Sequence, residues 1–364
     1  MTHSTSLFTR YFTFFPRCNM PNPLQAFVFI ALSMLSPMQT DAASQKPDGT
    51  QYVSRAALAV TLASETHIPL SDIRAILKQA TFQPEIVKRM NGQWEAQPYV
   101  KYRPLFIKAS MRSKGRQYLQ QHADLFANIE EKYQVDAVLI AAILGIETRF
   151  GQSHGKRPIL DSLYTLSTGF PRRAKFFRQQ LGAIIQISRQ DQLDLTTLKG
   201  SYAGAFGSIQ FIPTSFRDYA VDEDGDGIRD VFHSKPDIIA SIANYFKRHH
   251  WQYGRPSAYW LPIDTTLTPK WQKISQGKLK HWVTLAELRQ SMPKVFADIP
   301  STWHDNDKVS IIEMQTGKDK QKGKQFALVH YNFYVIMRYN PSFNYAMAVT
   351  EIAAMLERTT FAVD

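Results

Sequence analysis

The chain has 364 residues, of which 44% are hydrophobic, 20% charged and 12% aromatic. That composition excludes a disordered chain, a collagen-like repeat and a polytopic membrane protein. With 43 Lys and Arg against 31 Asp and Glu the net charge is +12, a sign that suits nucleic acid, acidic lipid or an acidic cell-wall polymer as partner.

No solenoid or propeller period repeats along the chain. The first feature is an apolar run at residues 24–36 (LQAFVFIALSMLS), preceded by Arg10 and Arg17 and followed by Asp41, Ala42, Ala43 and Ser44. Thirteen residues are too few to span a bilayer comfortably. Basic, apolar and small-residue parts in that order predict a secretory signal over 1–43, cleaved near Ala43, with an uncleaved membrane anchor as the alternative. Cleavage would also remove Cys18, the one cysteine, which in any case excludes a disulfide framework and a cysteine-based zinc site. It does not sit where a lipid-attachment cysteine would.

After a polar linker at 44–51, the patterns to about Tyr133 are mostly helical, with one helix starting at Ser71-Asp72 and another continuous over 115–133 (GRQYLQQHADLFANIEEKY). The segment 136–150 (DAVLIAAILGIETRF) is apolar on nearly every side until its last turn, so it predicts a helix buried in a sizeable core, with Gly151 as its C-cap. Further helices are expected at 172–188, 214–220, 237–250 and 341–357. Between about 255 and 332 short Val/Ile/Leu runs alternate with Pro, Gly and Asp, which predicts a small β-rich subdomain. The run of lysines at 318–324 within it reads as a solvated hairpin or loop rather than a binding patch. The expected organisation is a signal (1–43), a helical domain (44–135), a core (136–254), a β subdomain (255–331) and a C-terminal segment (332–364) returning to the core.

Three places carry chemistry. Glu147 stands in the last turn of the buried helix, where a carboxylate opposes the helix dipole. Apolar neighbours and the negative helix end both disfavour its charged form, as a general acid working near neutral pH requires. A solvated Glu paired with Arg149 is the plainer alternative. The segment 201–213 (SYAGAFGSIQFIP) combines Gly204 and Gly207, which let the backbone bend and a ligand approach, with Ser201, Ser208 and Gln210 as polar partners. Tyr202, Phe206 and Phe211 add flat faces. Such a cleft suits a pyranose, with its hydroxyl edges and C–H faces; a glycine turn before a buried helix is the alternative. Neither a phosphate loop nor a Gly-x-Ser-x-Gly elbow is present. Third, Asp222, Asp224, Asp226, Gly227 and Asp230 match the start of an EF-hand calcium loop, with the Ile228 carbonyl as the seventh-position ligand. The match fails at position twelve, which is His233, so Asp237 is the candidate to close a longer loop. An acidic surface turn is the alternative.

Together these residues resemble lytic murein transglycosylases of the membrane-bound B type, within the lysozyme-like superfamily. The motifs that carry the resemblance are GIETRFG at 145–151, FPRRAKFF at 170–177, SYAGAFGSIQFIP at 201–213, DEDGDG at 222–227 and NFYVIMRYNPSFNYAMAV at 332–349. The resemblance implies a mainly α (α+β) fold: a lysozyme-like core, a helical domain and a small inserted β subdomain. It implies cleavage of the β-1,4 bond between N-acetylmuramic acid and N-acetylglucosamine in peptidoglycan, with 1,6-anhydro ends formed and Glu147 as the one acid/base. Ser201, Gln210, Phe211, Tyr245, Tyr339 and Tyr345 would surround the glycan, Tyr102 would be the cleft tyrosine, and Arg172 and Arg173 the cleft arginines. A structural Ca2+ would be held by Asp222, Asp224, Asp226, Ile228 and Asp237, with no organic cofactor. The implied setting is the periplasm, without a lipid anchor. Peptidoglycan would be the partner, possible further contacts being wall-synthesis enzymes and the membrane periphery; export argues against nucleic acid. A hydrolytic muramidase with a second carboxylate and a non-catalytic peptidoglycan-binding module are the competing readings.

Overall fold

A computed structural model describes residues 49–90, 97–319 and 323–357, so the signal segment lies outside the described residues. Ser54 opens α1 (Arg55–Thr66) by accepting the Ala57 N–H on its hydroxyl at 3.2 Å, the usual service of an N-cap serine. α2 (Leu70–Lys78), α3 (Pro84–Met90) and α4 (Tyr99–Phe106) follow. The run 115–133 is not one helix. It divides into the end of α5 (Ala109–Gln121) and α6 (Ala123–Tyr133) at His122, whose φ of −123° and ψ of 30° leave the helical region. The bend lets Tyr118 pack edge-on to both His122 and Phe126 while it meets the Phe150 ring at 5.4 Å.

α7 (Ala137–Thr148) is the axis of the core, buried continuously from Leu139 to Gly145 and packed against α15 (Phe343–Glu357), α5 and α6. A helix apolar all round has to be covered on every side, and this one is. Its end differs from the expected glycine cap. Arg149 (φ 53°) is the C-cap, and Phe150 (φ 63°) and Gly151 (φ 79°) continue in the left-handed region. Phe150 N–H donates to Leu144 C=O at 3.0 Å and Arg149 N–H to Gly145 C=O at 3.1 Å, which satisfies carbonyls the helix end would leave orphaned. The driving contact is the Phe150 ring. A Cβ on Gly145 would lie 2.9 Å from it, and one on Gly115 3.2 Å, so both glycines make room for that ring.

β1 (Arg157–Pro158) pairs antiparallel with β2 (Lys199–Gly200). Between them run α8 (Ile159–Gly169), a 3-10 turn at Pro171–Arg173 where a helical start was expected, and α9 (Ala174–Gln190). α10 (Pro213–Tyr219) and α11 (Lys235–Arg248) complete the core. The stretch that loses helical pattern forms β3 (Ala258–Trp260), α12 (Pro269–Ser275), β4 (Val283–Thr284), α13 (Leu285–Ser291), β5 (Lys308–Gln315) and β6 (Lys324–His330). The four strands make one antiparallel sheet in the order β3-β6-β5-β4. Strand alternation gives it two dry faces. Ile312, Met314, Ala327 and Val329 join the main core, while Val309, Ile311 and Leu328 build a smaller one with Trp271, Phe296 and Trp303. β5 and β6 are neighbours in that sheet, and Lys324 pairs with Glu313 at 2.7 Å, while Lys320 and Lys322 of the expected lysine-rich loop lie outside the described residues. From β6 the chain enters α14 (Tyr331–Tyr339) and then α15.

Candidate active site

Glu147 occupies the last turn of α7 and is half-buried. Its Oε1 accepts a 2.6 Å hydrogen bond from the Tyr345 hydroxyl on α15. The Tyr345 ring lies nearly parallel to that of Tyr339, with centroids 6.4 Å apart and planes 5° apart. Burial first, and then the Glu147 charge, hold both phenols well above the ordinary tyrosine range, so both remain proton donors. Tyr339 gives its proton to the Ile209 carbonyl.

The residue after Glu147 ties this helix end to the glycine loop. The Thr148 hydroxyl donates to the Ser208 carbonyl at 2.8 Å and accepts the Gly151 N–H at 3.0 Å. Ser208 N–H in turn donates to Val231 C=O at 2.7 Å, and its Oγ lies 2.9 Å from His154 Nε2. His154 stands edge-on to Phe232; burial, then His233 and Lys235, push it below the ordinary histidine value. Two loops therefore meet on the side chain next to the candidate acid. Thr148, Ser208 and His154 carry no local signal for this role, because their partners are more than fifty positions away in sequence.

Within the glycine loop the expectations are partly revised. Gly204 (φ 88°) and Gly207 (φ 74°) are required by backbone conformation. A Cβ on them would strike Leu163 at 2.3 Å and Val231 at 2.5 Å, so the close approach they permit is by protein and not by a ligand. Ser201 Oγ accepts the N–H groups of Ala205 (3.0 Å) and Ala203 (3.3 Å). Gln210 Nε2 donates to Gly207 C=O at 3.0 Å and His154 C=O at 3.3 Å. Both residues are half-buried and brace the loop.

Phe206 and Phe211 are buried among other rings; Phe206 stacks on Phe232 and lies tilted against Phe216, and Phe211 lies 5.6 Å from both Tyr245 and Tyr339. Tyr245 is buried too and donates to the Arg338 carbonyl at 2.5 Å. Phe211 and Tyr245 both pack on Tyr339, the ring beside Tyr345. Tyr102 is buried against Phe106 and close enough to act on the Tyr345 phenol. Arg172 is exposed with its guanidinium 5.4 Å over Phe170, and Arg173 lies 4.3 Å over Phe176, its pKa lowered by burial.

In the acidic loop Asp222, Asp224 and Asp237 each bring an oxygen within 4.8 Å of the others. Asp222 is shaped by the N–H groups of Gly225 and Gly227, both at 2.8 Å. Asp237, fully buried, accepts the Glu223 and Asp230 N–H groups at 2.7 and 2.8 Å. Burial chiefly, with the Asp224 charge adding, raises its pKa. Asp226 stands outside the trio, its Oδ1 accepting the Ile228 N–H at 2.8 Å.

The model of the transglycosylase SLT domain matches residues 53–354. The chain belongs to that family. This transglycosylase is 34% identical over 262 residues to membrane-bound lytic murein transglycosylase B of Escherichia coli K12, covering 72% of this chain and 67% of the relative. Among solved structures, Escherichia coli Slt35 in complex with calcium superposes with a TM-score of 0.69 at 30% identity, covering 83% of this chain and 92% of that one. Pseudomonas aeruginosa SltB3 in complex with NAG-anhNAM-pentapeptide gives 0.71 at 30% identity, covering 83% and 78%. As a member of this family the chain is a lytic transglycosylase, an enzyme of the lyase type, and its helical architecture with small antiparallel sheets is the one expected from the resemblance.

Proposed function

We propose that this transglycosylase cleaves the β-1,4 bond between N-acetylmuramic acid and N-acetylglucosamine in peptidoglycan, with Glu147 as the single acid and then base. The observation that carries the reading is Glu147 itself, a carboxyl held at 2.6 Å by a buried tyrosine at the end of a buried helix. Glycosidases commonly use two carboxyl groups, one of them a nucleophile or base. One suffices if the sugar supplies its own nucleophile. Protonated Glu147 donates to the glycosidic oxygen as the bond breaks through an oxocarbenium-like state, and the N-acetyl group of the same sugar stabilises C1. The carboxylate then accepts the C6 hydroxyl proton while that oxygen closes on C1 to form the 1,6-anhydro ring. Proton and oxygen balance with no water consumed. Tyr345 orients the carboxyl, Tyr339, Tyr245 and Phe211 support that tyrosine, and Ser201, Gln210 and Tyr102 shape the adjoining wall. Arg172 and Arg173 supply cations for lactyl or peptide carboxylates.

Asp222, Asp224 and Asp237 fit a hard divalent cation, since three converging carboxylates repel one another without one. They would hold a structural Ca2+, with Asp226 and the Ile228 carbonyl as the remaining expected ligands. The cation would fix the loop whose Val231 carbonyl receives Ser208. The signal-like segment supports a periplasmic setting, and among the described residues no helix is long and apolar enough to cross a membrane. We read 44–135 as a helical domain, 136–254 with 332–364 as the core, and 255–331 as the β subdomain.

Mass spectrometry of soluble products from purified peptidoglycan tests the reaction. Anhydro-muropeptides are expected from the wild type and none from Glu147→Gln, which should still bind the wall. Reducing-end products would instead identify a hydrolytic muramidase.

A further inference from the structure

The glycine loop has a second neighbour, from the other side. Arg157, whose strand partner is Gly200, donates from Nη1 to Gln83 Oε1 at 3.0 Å and Glu85 Oε1 at 2.8 Å at the start of α3. Gln83 is in turn fixed to α8, by its N–H on Thr165 Oγ1 at 2.9 Å and its amide on Asp161 at 2.7 Å. One turn beyond Glu85 on α3, the Arg89 guanidinium lies over the Tyr202 ring, 4.7 Å from its centroid. Tyr202 follows Ser201 directly and packs against the core. The helix and the loop are thus registered by two contacts four residues apart, one polar and one through a ring face.

A guanidinium laid on an aromatic ring uses its flat face there, while its N–H donors stay in the plane and point along the edge. Arg89 is exposed, so the N–H donors of a guanidinium seated over Tyr202 are within reach of a ligand. Two parallel in-plane donors match the two oxygens of a carboxylate. We propose that Arg89, braced by Tyr202, forms a carboxylate subsite for the peptide stem of the substrate and makes the enzyme favour peptide-bearing strands over bare glycan. The inference rests on the peptidoglycan reading above. The stem is the occupant assigned, not the lactyl group, because Arg89 comes from α3 and not from the loop that carries Ser201 and Gln210. In a peptide-bearing strand the lactyl carboxyl is, moreover, tied up as an amide and carries no charge.

Binding by the Glu147→Gln protein, which needs no turnover, tests this on three glycans. These are peptide-bearing strands, amidase-stripped strands with a free lactyl carboxylate, and chitooligosaccharide without any carboxylate. Adding Arg89→Ala should weaken binding to the first by about tenfold and change the other two by less than about twofold. Arg89→Lys should recover only part of the loss, since a point charge lacks the fork. Equal loss on all three glycans, no loss on peptide-bearing strands, loss confined to stripped strands, or full recovery by lysine would each overturn the assignment. Failure of the underlying reaction would appear separately, as absent anhydro products from the wild type.

Discussion

Tyr345 stacks its ring on Tyr339 and donates its hydroxyl to Glu147, the candidate acid. Tyr345→Phe keeps the ring and deletes one hydrogen bond to a chargeable group, a difference of about 1.5–3 kcal/mol. If orientation is its contribution, kcat should fall by about ten- to a hundredfold with KM little changed; an unchanged kcat would remove Tyr345 from the mechanism. A different residue sets how the fold answers acid. His249 stacks on Tyr245 with centroids 4.2 Å apart, its Nδ1 2.8 Å from the Tyr245 carbonyl. Burial, with Arg338, His250 and Arg248 nearby, pushes it down from 6.5 to about 4. Between those values the unfolded chain binds a proton that the folded one refuses, so this stability is complete above 6.5 and is lost as pH falls towards 4. The thermal midpoint should therefore drop across that window, and less steeply in His249→Gln. Glu147 could be singled out in the sequence because an acid at the end of an apolar helix breaks a local rule. Ser208 was readable only as a polar residue of the glycine segment and His154 not at all, since what joins them is a 2.9 Å contact made across 54 residues.

At the scale of elements, the exit of α7 is governed by Phe150 more than by Gly151. Three successive left-handed residues place that ring over Gly145 and Gly115. Gly145→Ala would set a methyl 2.9 Å from the ring and 2.8 Å from Met111 Sδ. It should destabilise the protein by about 1–3 kcal/mol and reduce activity more than stability alone explains, because the displaced turn carries Glu147. Denaturant melts and kinetics on the same variant check both halves. The length and burial of α7 were readable from composition, but its ending was set by tertiary contact. α8 escaped the reading for another reason. Ser162, Thr165, Ser167 and Thr168 are all buried in it and interrupt the apolar period. Inside the helix Ser167 and Thr168 return their hydroxyl protons to Leu163 and Tyr164 carbonyls at 2.6 and 2.9 Å, which makes their burial tolerable. α12 and α13, with seven residues each, are too short to show a helical period among the turns of the β-rich stretch.

For the whole molecule, the cation proposed for the acidic loop would couple metal to stability. Calcium that binds only the folded state should raise the thermal midpoint in proportion to the logarithm of its concentration. Chelator should reverse the gain, and Asp237→Asn should abolish the response; a wild type indifferent to calcium would refute the site. The Asp spacing, and Asp237 as the residue to close the loop, were legible because these candidates are close in sequence, while the convergence of Asp222, Asp224 and Asp237 without Asp226 depended on how α11 enters. Elsewhere the parts are joined by single polar knots. Glu351 on α15 accepts from Tyr99 at 3.0 Å and Arg103 at 2.7 Å, both on α4, and from Trp260 on β3 at 3.1 Å.

The contact between Tyr345 and Glu147 spans 198 positions, and its donor belongs to the last helix described. A chain leaving a ribosome, or threaded through a translocation channel, presents its carboxyl long before the helix that aims it has arrived. Contacts so distant along the chain form late in folding. With Glu147 as the proposed acid and Tyr345 as its support, the cutting site would be complete only once the final helix has closed on the core.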